Sequence, residues 1–309
     1  MSTQVRTQSQ GEISKLDTSS EHYVSESLYQ KGLRRLRRDR MTMFAFGVIA
    51  VLSLLAIFAP FITNNILQQD PNKTEPLENY LPVGTPGHIL GTDNLGRDQL
   101  ARLLHAGRVS LGIGFFGAVI TLTIGMVLGM TTGYFGGIFD DLMNWLITTI
   151  DSIPALYLLI LIAAIFRPTA EALVFAIAII SWTGTTRLIR GQTFQIRNLD
   201  YITSARALGA SSWRIMFSHI FPNLISVTTI ALARFIGILI QTESSLSFLG
   251  LGVQPPTATW GNMLSKSQEY FNLGPHLVVY PGLLIFITVL CFYIIGDGVR
   301  DAFDPQATD

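Results

Sequence analysis

Six apolar runs constrain what this chain can fold into, and the first is the plainest: Met41 to Ile62 carries no charged residue over about the length that crosses a bilayer core. Further runs follow from Val109 to Met130, Leu142 to Phe166, Ala172 to Thr186, Phe217 to Thr242 and Leu277 to Gly296. Backbone groups in hydrocarbon must satisfy one another, so these runs predict an all-α polytopic membrane protein with six transmembrane helices. Only 14% of the 309 residues are charged against 49% apolar, and mean hydropathy is +0.42, which excludes an ordinary soluble domain. Formal net charge is zero, so nothing at whole-chain level points to nucleic acid. The single cysteine, Cys291, excludes an internal disulfide.

Orientation comes from the basic residues. Lys31, Arg34, Arg35, Arg37, Arg38 and Arg40 abut the first run, so residues 1–40 are expected to form a cytoplasmic tail, with attraction to acidic membrane lipid as a by-product. Residues 41–62 are then the first transmembrane helix, and 63–108 an extracytoplasmic segment. Within it, Leu100, Leu103 and Leu104 follow helical spacing and predict an interfacial helix along the outer surface. Asp93, Arg97 and Asp98 read as a turn held by an Arg–carboxylate pair, without chemistry of their own. Residues 109–298 are expected to form a five-helix core and 299–309 a cytoplasmic tail; Asp297, at the junction, can pair with Arg300, Asp301 and Asp304 of the tail on a helix. Both termini therefore fall inside.

Three ionisable residues stand out inside the core. Asp151, in the phrase IDSIP, is about 15 Å along a helix from Asp141, which places it within the membrane. Two readings of it stand: a group on the translocation path, or an acceptor for a neighbouring helix where Pro154 breaks the ladder. Arg234 interrupts the apolar stretch ALARFIGIL, and Glu243 follows it by about 13 Å of helix. For Arg234 the alternatives are a place on the path, snorkelling to the outer interface, or a structural pair with Asp151 or Glu243. Repeated glycines at Gly112, Gly114, Gly117, Gly125 and Gly129 predict close helix packing in the second run.

Between the fourth and fifth runs lies YITSARALGASSWRIMFSHIFP, Tyr201 to Pro222. Gly209 suits the left-handed residue that follows a helix, and Ser211 or Ser212 suits the cap of a second helix beginning near Trp213. Tyr201, Ala205 and Leu208 share one face ahead of this corner, a face shaped to enter a groove in another protein. ARALGAS followed by HIFPN resembles the cytoplasmic coupling loop of ABC importer permeases in the dipeptide/oligopeptide family. Where the general importer pattern has Glu-Ala-Ala, this chain has Thr203, Ser204 and Ala205, and His219 and Phe221 replace aliphatic residues. GTDNLGRD at Gly91 to Asp98 and SSLSFLGLG with WGNML between Ser244 and Leu264 resemble further signatures of the C-type subunit, with Ser244 where alanine is usual. The string after Glu243 also suits a re-entrant or surface-hugging loop in place of a continued span.

The resemblance covers roughly Arg34 to Pro305 and implies a type I importer fold, with a coupling loop at 187–216 that docks on an ATPase through Thr203, Ser204, Ala205, Arg206, Gly209, Ala210 and Ser211. It also implies a homologous B-type permease, two ABC ATPases, an extracellular substrate-binding protein, and a bacterial or archaeal plasma membrane. Cargo would be di- or oligopeptides, with nickel chelates, glutathione or oligosaccharides as alternatives. No enzyme activity and no bound cofactor are expected in this chain, ATP and Mg belonging to the ATPases. A P-loop needs a Gly-Lys pair, and none of Lys15, Lys31, Lys73 or Lys266 follows glycine. HExxH and GxSxG are both missing, which disfavours a hydrolase. An autonomous carrier or channel would leave the coupling-loop pattern without a use.

Overall fold

The computed structural model describes residues 28–166 and 169–303. Expectations for residues 1–27, for Arg167 and Pro168 of the outer turn, and for 304–309 with Asp304 lie outside them. A basic helix, α1 (Leu28–Arg38), leads through Asp39 into α2 (Arg40–Ile57). The Asp39 carboxylate accepts from the Met41 N–H at 3.0 Å and from the Thr42 hydroxyl, so it caps α2. The chain then passes through a short helical turn, Ala59–Phe61, and a π turn, Ile62–Leu67, which ends at left-handed Gln68.

The expected surface helix does not exist as a separate element. Leu100, Leu103 and Leu104 belong to the first turns of α3 (Gln99–Phe135), a single helix of 37 residues that also contains the second apolar run. At 1.5 Å per residue it is about 55 Å long, well beyond a hydrocarbon core of about 30 Å. Asp98 starts it by accepting from the Ala101 N–H at 2.7 Å, and left-handed Gly136 ends it. The third run also differs from expectation. It is two helices, α4 (Gly137–Asp151) and α5 (Ala155–Phe166), bent by 74° where Pro154 can neither donate to the ladder nor pack against it. Next, α6 (Ala170–Ile196) extends past Thr186, where the fourth apolar run ends, and is capped at Arg197.

Two short helices, α7 (Asp200–Ala207) and α8 (Ser212–Ile215), precede α9 (Phe221–Phe248). Ser244 to Phe248, expected in the outer loop, instead continue α9, and the loop begins at Leu249. After it come α10 (Ser267–Leu273) and α11 (His276–Ala302). Among the described residues, five helices are long and apolar enough to cross a membrane, and six when the bent α4–α5 pair is one span.

Glycines set the centre of the bundle. Gly125, Gly129 and Gly133 recur every fourth residue on α3 and press against α6: a Cβ at Gly125 would stand 2.5 Å from the Thr185 Cβ, and one at Gly133 2.7 Å from the Thr193 Cβ. Small residues at this spacing let two backbones approach closely enough for van der Waals contact to hold them where no hydrophobic force acts between helices. Gly112, by contrast, faces open space within the chain. Above this seam, Ile113, Leu173, Ile177, Leu239, Ile240 and Phe292 bring α3, α6, α9 and α11 into one apolar core.

One end of the bundle is closed by a cap. Asp93 accepts from the Leu95 N–H at 2.8 Å and the Arg97 Nε at 2.7 Å, and His88 bridges Asp98 at 2.9 Å to Glu78 at 3.2 Å. Trp260 fastens the loop after α9 onto α3, its indole N–H donating to the Leu103 carbonyl and its backbone N–H to Ser110 Oγ, each at 3.1 Å. At the opposite end sits the α7–α8 hairpin.

Candidate functional site

The hairpin is built from one stop signal and one start signal. At the stop, Gly209 adopts φ +84°, its N–H donating to the Arg206 carbonyl while the Ala210 N–H donates to that of Ala205, both at 3.0 Å. This pair of bonds closes a helix through a left-handed residue. A Cβ on Gly209 would meet nothing within 4 Å, so the position demands glycine for its backbone conformation and not for space. At the start, Ser211 Oγ accepts from the Arg214 N–H at 3.4 Å and caps α8. A π turn, Met216–Ile220, carries the chain into α9.

Two faces result. Ile202, Ile215, Met216 and Ile220 are fully buried against Met130 of α3 and Ile189 of α6. Each such side chain contributes about 1.5–3 kcal/mol, enough to hold a short hairpin on the ends of two long helices. Facing outward, Leu208 is 89% and Trp213 65% exposed, Trp213 stacking on Phe217 with centroids 5.5 Å apart. Thr203, Ser204 and Arg206 are exposed beside them and Ala205 is half-buried. Tyr201, on the face read from the sequence, is exposed and its hydroxyl accepts from Asn223 Nδ2 at 3.3 Å. Large apolar side chains exposed on so small an element mark a contact surface.

The three core charges are not brought together. Asp151 pairs with Arg187 at 2.7 Å and accepts from Thr183 Oγ1 at 2.8 Å, both on α6. Asp140 on the same α4 pairs with Arg190, one turn from Arg187. Eleven residues of α4 cover about 16 Å, whereas the two arginines are about 4.5 Å apart along α6, so the long arginine side chains tie two separate points of α4 to one stretch of α6. Asp151 is thus held as an acceptor for a neighbouring helix close to the break at Pro154.

Arg234 pairs with Asp297 on α11, and neither Asp151 nor Glu243 is its partner. Its side chain packs over Gly296, two residues from Gly298, which lies against Thr42 in the first turn of α2. Arg234 thus sits midway along α9, against the last turns of α11. Glu243 is 0% exposed, and its Oε1 accepts from Ser247 Oγ at 2.7 Å within α9, facing the cap. Sequence reading missed the Asp140–Arg190 and Arg234–Asp297 ties, because partners 50 and 63 residues apart leave no local pattern.

Comparison with known proteins places these elements in a family. The profile described as "binding-protein-dependent transport system inner membrane component" matches residues 125–309, and that of the "N-terminal TM domain of oligopeptide transport permease C" matches 27–82. A glutathione transport system permease of Pectobacterium atrosepticum is 36% identical over 277 residues, covering 88% of this chain and 89% of its own. A dipeptide transport permease of Alkalihalophilus pseudofirmus is 34% identical, with 93% and 92% covered. An oligopeptide transport permease of Haemophilus influenzae is also 34% identical, with 91% and 89% covered. A chain of apolar helices with these two profile matches, and with relatives aligned over about nine-tenths of its length, is a multi-pass inner-membrane protein, and it belongs to the inner-membrane components of binding-protein-dependent transport systems, as a C-type permease of the ABC importer class.

Proposed function

We propose that this chain is the transmembrane permease subunit of an ATP-driven importer of di- and oligopeptides, and that the α7–α8 hairpin is the lever through which partner ATPases move it. The observation that carries the reading is a rigid corner, closed by Gly209 and Ser211, that turns Leu208 and Trp213 outward from a buried aliphatic platform. Thr203, Ser204, Ala205, Arg206, Gly209, Ala210 and Ser211 form the docking face. The hairpin end lies in the cytoplasm with both termini, since the basic residues of α1 adjoin the first turn of α2. The permease pairs with a homologous B-type subunit, two ATPases and an extracellular binding protein.

In the transport cycle, ATP-driven closure of the ATPases displaces the hairpin. Because α9 continues from it, the shift passes to the bundle and exchanges an inward-open for an outward-open cavity, in proportion to the ATPases' differential affinity for the two states. This chain supplies no nucleotide site and holds no cofactor; ATP and Mg are bound by the partners. Of the charged candidates, Asp151 with Arg187 stays partly exposed and is assigned to the path or its rim. Arg234 is assigned to an α9–α11 tie, and sealed Glu243 to holding the cap end of α9.

Peptide cargo is supported by the names of the relatives, glutathione being itself a tripeptide. Purified alone, the polypeptide should not hydrolyse ATP, whereas the reconstituted complex should take up peptide only with ATP and the binding protein. Robust ATPase activity in a preparation shown by mass spectrometry to hold only this chain would sink the assignment. A nickel chelate or an oligosaccharide co-purifying with the binding protein would overturn the cargo.

A further inference from the structure

The cap end contains a recess of about 250 Å³ between the turn that precedes α3, the loop after α9 and the start of α10. Its charged lining is Asp93, Arg97, Arg102 and Lys266, three cations against one carboxylate. Asp93 is already engaged by the Leu95 N–H and the Arg97 Nε, and its approach to Arg102 is long, at 3.4 Å. The Arg102 side chain is only 7% exposed, and its other acceptor, the Pro71 carbonyl, is also 3.4 Å away. Gln99 is 1% exposed and also lines the recess, yet its Nε2 donates to nothing. A buried donor left unmet costs about 1–3 kcal/mol, so a fold that keeps one beside a half-satisfied guanidinium is built around an acceptor. Tyr270 stands in the same wall. Burial, then the Asp93 carboxylate, pushes its phenol up to about 12, so it remains a neutral donor.

We propose that this recess is a carboxylate-binding subsite, with Gln99 and Arg102 as its buried donors and Lys266 at its rim. A carboxylate offers two in-plane acceptor oxygens, which a guanidinium and an amide can share. The recess is smaller than the roughly 300–1,000 Å³ of sites that engulf a whole drug-sized ligand. It therefore takes one residue-sized group and not an entire peptide. On the importer reading, on which this assignment of sources rests, the carboxylate is either the C-terminus of an arriving peptide or an acidic side chain of the docked binding protein.

The site itself is tested by calorimetric titration of the purified transporter complex with N-acetylglycine and N-acetylglycinamide at constant ionic strength. The acid should bind at least tenfold more tightly than the amide, and Gln99→Leu and Lys266→Gln should each remove most of that preference. Because Lys266 is exposed, its variant tests the site without risk to folding. Equal binding of acid and amide, or none, overturns the proposal. The sources separate in a second measurement. A tenfold loss of binding-protein affinity in Lys266→Gln assigns the carboxylate to that protein, whereas unchanged docking with lost preference for free-acid over amidated peptide in uptake assigns it to the cargo. If neither changes, the recess has no part in transport and the proposal falls. Acid-selective binding in a complex that shows no ATP-driven uptake would overturn the importer reading and leave the subsite standing.

Discussion

The two ends of this bundle solve opposite problems. At the hairpin corner, the polar groups are met within ten residues: the Gly209 and Ala210 N–H groups donate back to the Arg206 and Ala205 carbonyls, and Ser211 Oγ accepts from the Arg214 N–H, while Tyr201 reaches beyond the corner to Asn223. Its side chains are thereby free to divide into a buried aliphatic platform and an exposed apolar face. At the cap end, polar groups are also joined across long separations: Trp260 reaches Leu103 and Ser110, 157 and 150 residues away, while His88 ties Glu78 to Asp98 within the cap. A locally closed element can move as a unit against a partner. A cross-tied one resists movement and holds a recess open. The contrast matches a lever at one end and a fixed mouth at the other.

The largest expected effect comes from cutting the cross-tie. Trp260→Ala removes a buried indole with its hydrogen bond to the Leu103 carbonyl and should cost about 3–5 kcal/mol, read as a lower thermal midpoint and lower membrane level. A loss under about 1 kcal/mol would mean that the cap is not held by this residue. Gly209→Leu should leave assembly near wild type while lowering uptake by more than tenfold, because a left-handed backbone costs a branched residue roughly 1–2 kcal/mol and tilts the corner. Membrane level, ATPase co-purification and uptake are measured together; full uptake with normal assembly would show that the corner is no lever. Thr203→Ala beside it should change uptake less than twofold.

Smaller effects sharpen the comparison at single polar ties. The Arg234 and Asp297 side chains are 40% and 60% exposed, so a double-mutant cycle with Arg234→Gln and Asp297→Asn should give a coupling under about 1 kcal/mol. Uptake that falls more for carboxylate-bearing cargo in Arg234→Gln would return this arginine to the translocation path. The smallest effect belongs to Asp39. Its hydrogen bond from Thr42 holds the carboxyl below its ordinary value of 3.8, so its stabilisation is complete above that pH and fades as pH falls through the folded value. Asp39→Ala should therefore cost about 1 kcal/mol at pH 7, and the difference from wild type should shrink below pH 4. A difference that persisted at pH 3 would place the effect outside the cap.

How much was legible beforehand follows the same division. The stretch around Gly209 could be read residue by residue, since a left-handed glycine followed by a capping serine acts through neighbours in the chain. The α3 glycines could be read as a packing stripe, though not which helix they would meet. Asp151 could be read as an ionisable group near a proline break, but its depth could not, because distance along a helix equals depth only where the helix stands upright. Nor could its partners, Thr183 and Arg187, which lie on another helix, α6.

Hydrophobicity, helix-stop and capping signals are properties of short stretches, so the chain alone determined that this protein spans a membrane, has an all-α fold and carries a glycine corner between its fourth and fifth apolar runs. Only the tertiary structure decided that Arg234 pairs with Asp297, that Asp140 and Asp151 share one helix of arginines, and that Gln99 faces a cationic recess without an acceptor. Arg and Lys side chains find any carboxylate within reach once helices are packed. Which one comes within reach is set by crossing angles and register, and these come from small-residue contacts summed over the whole bundle.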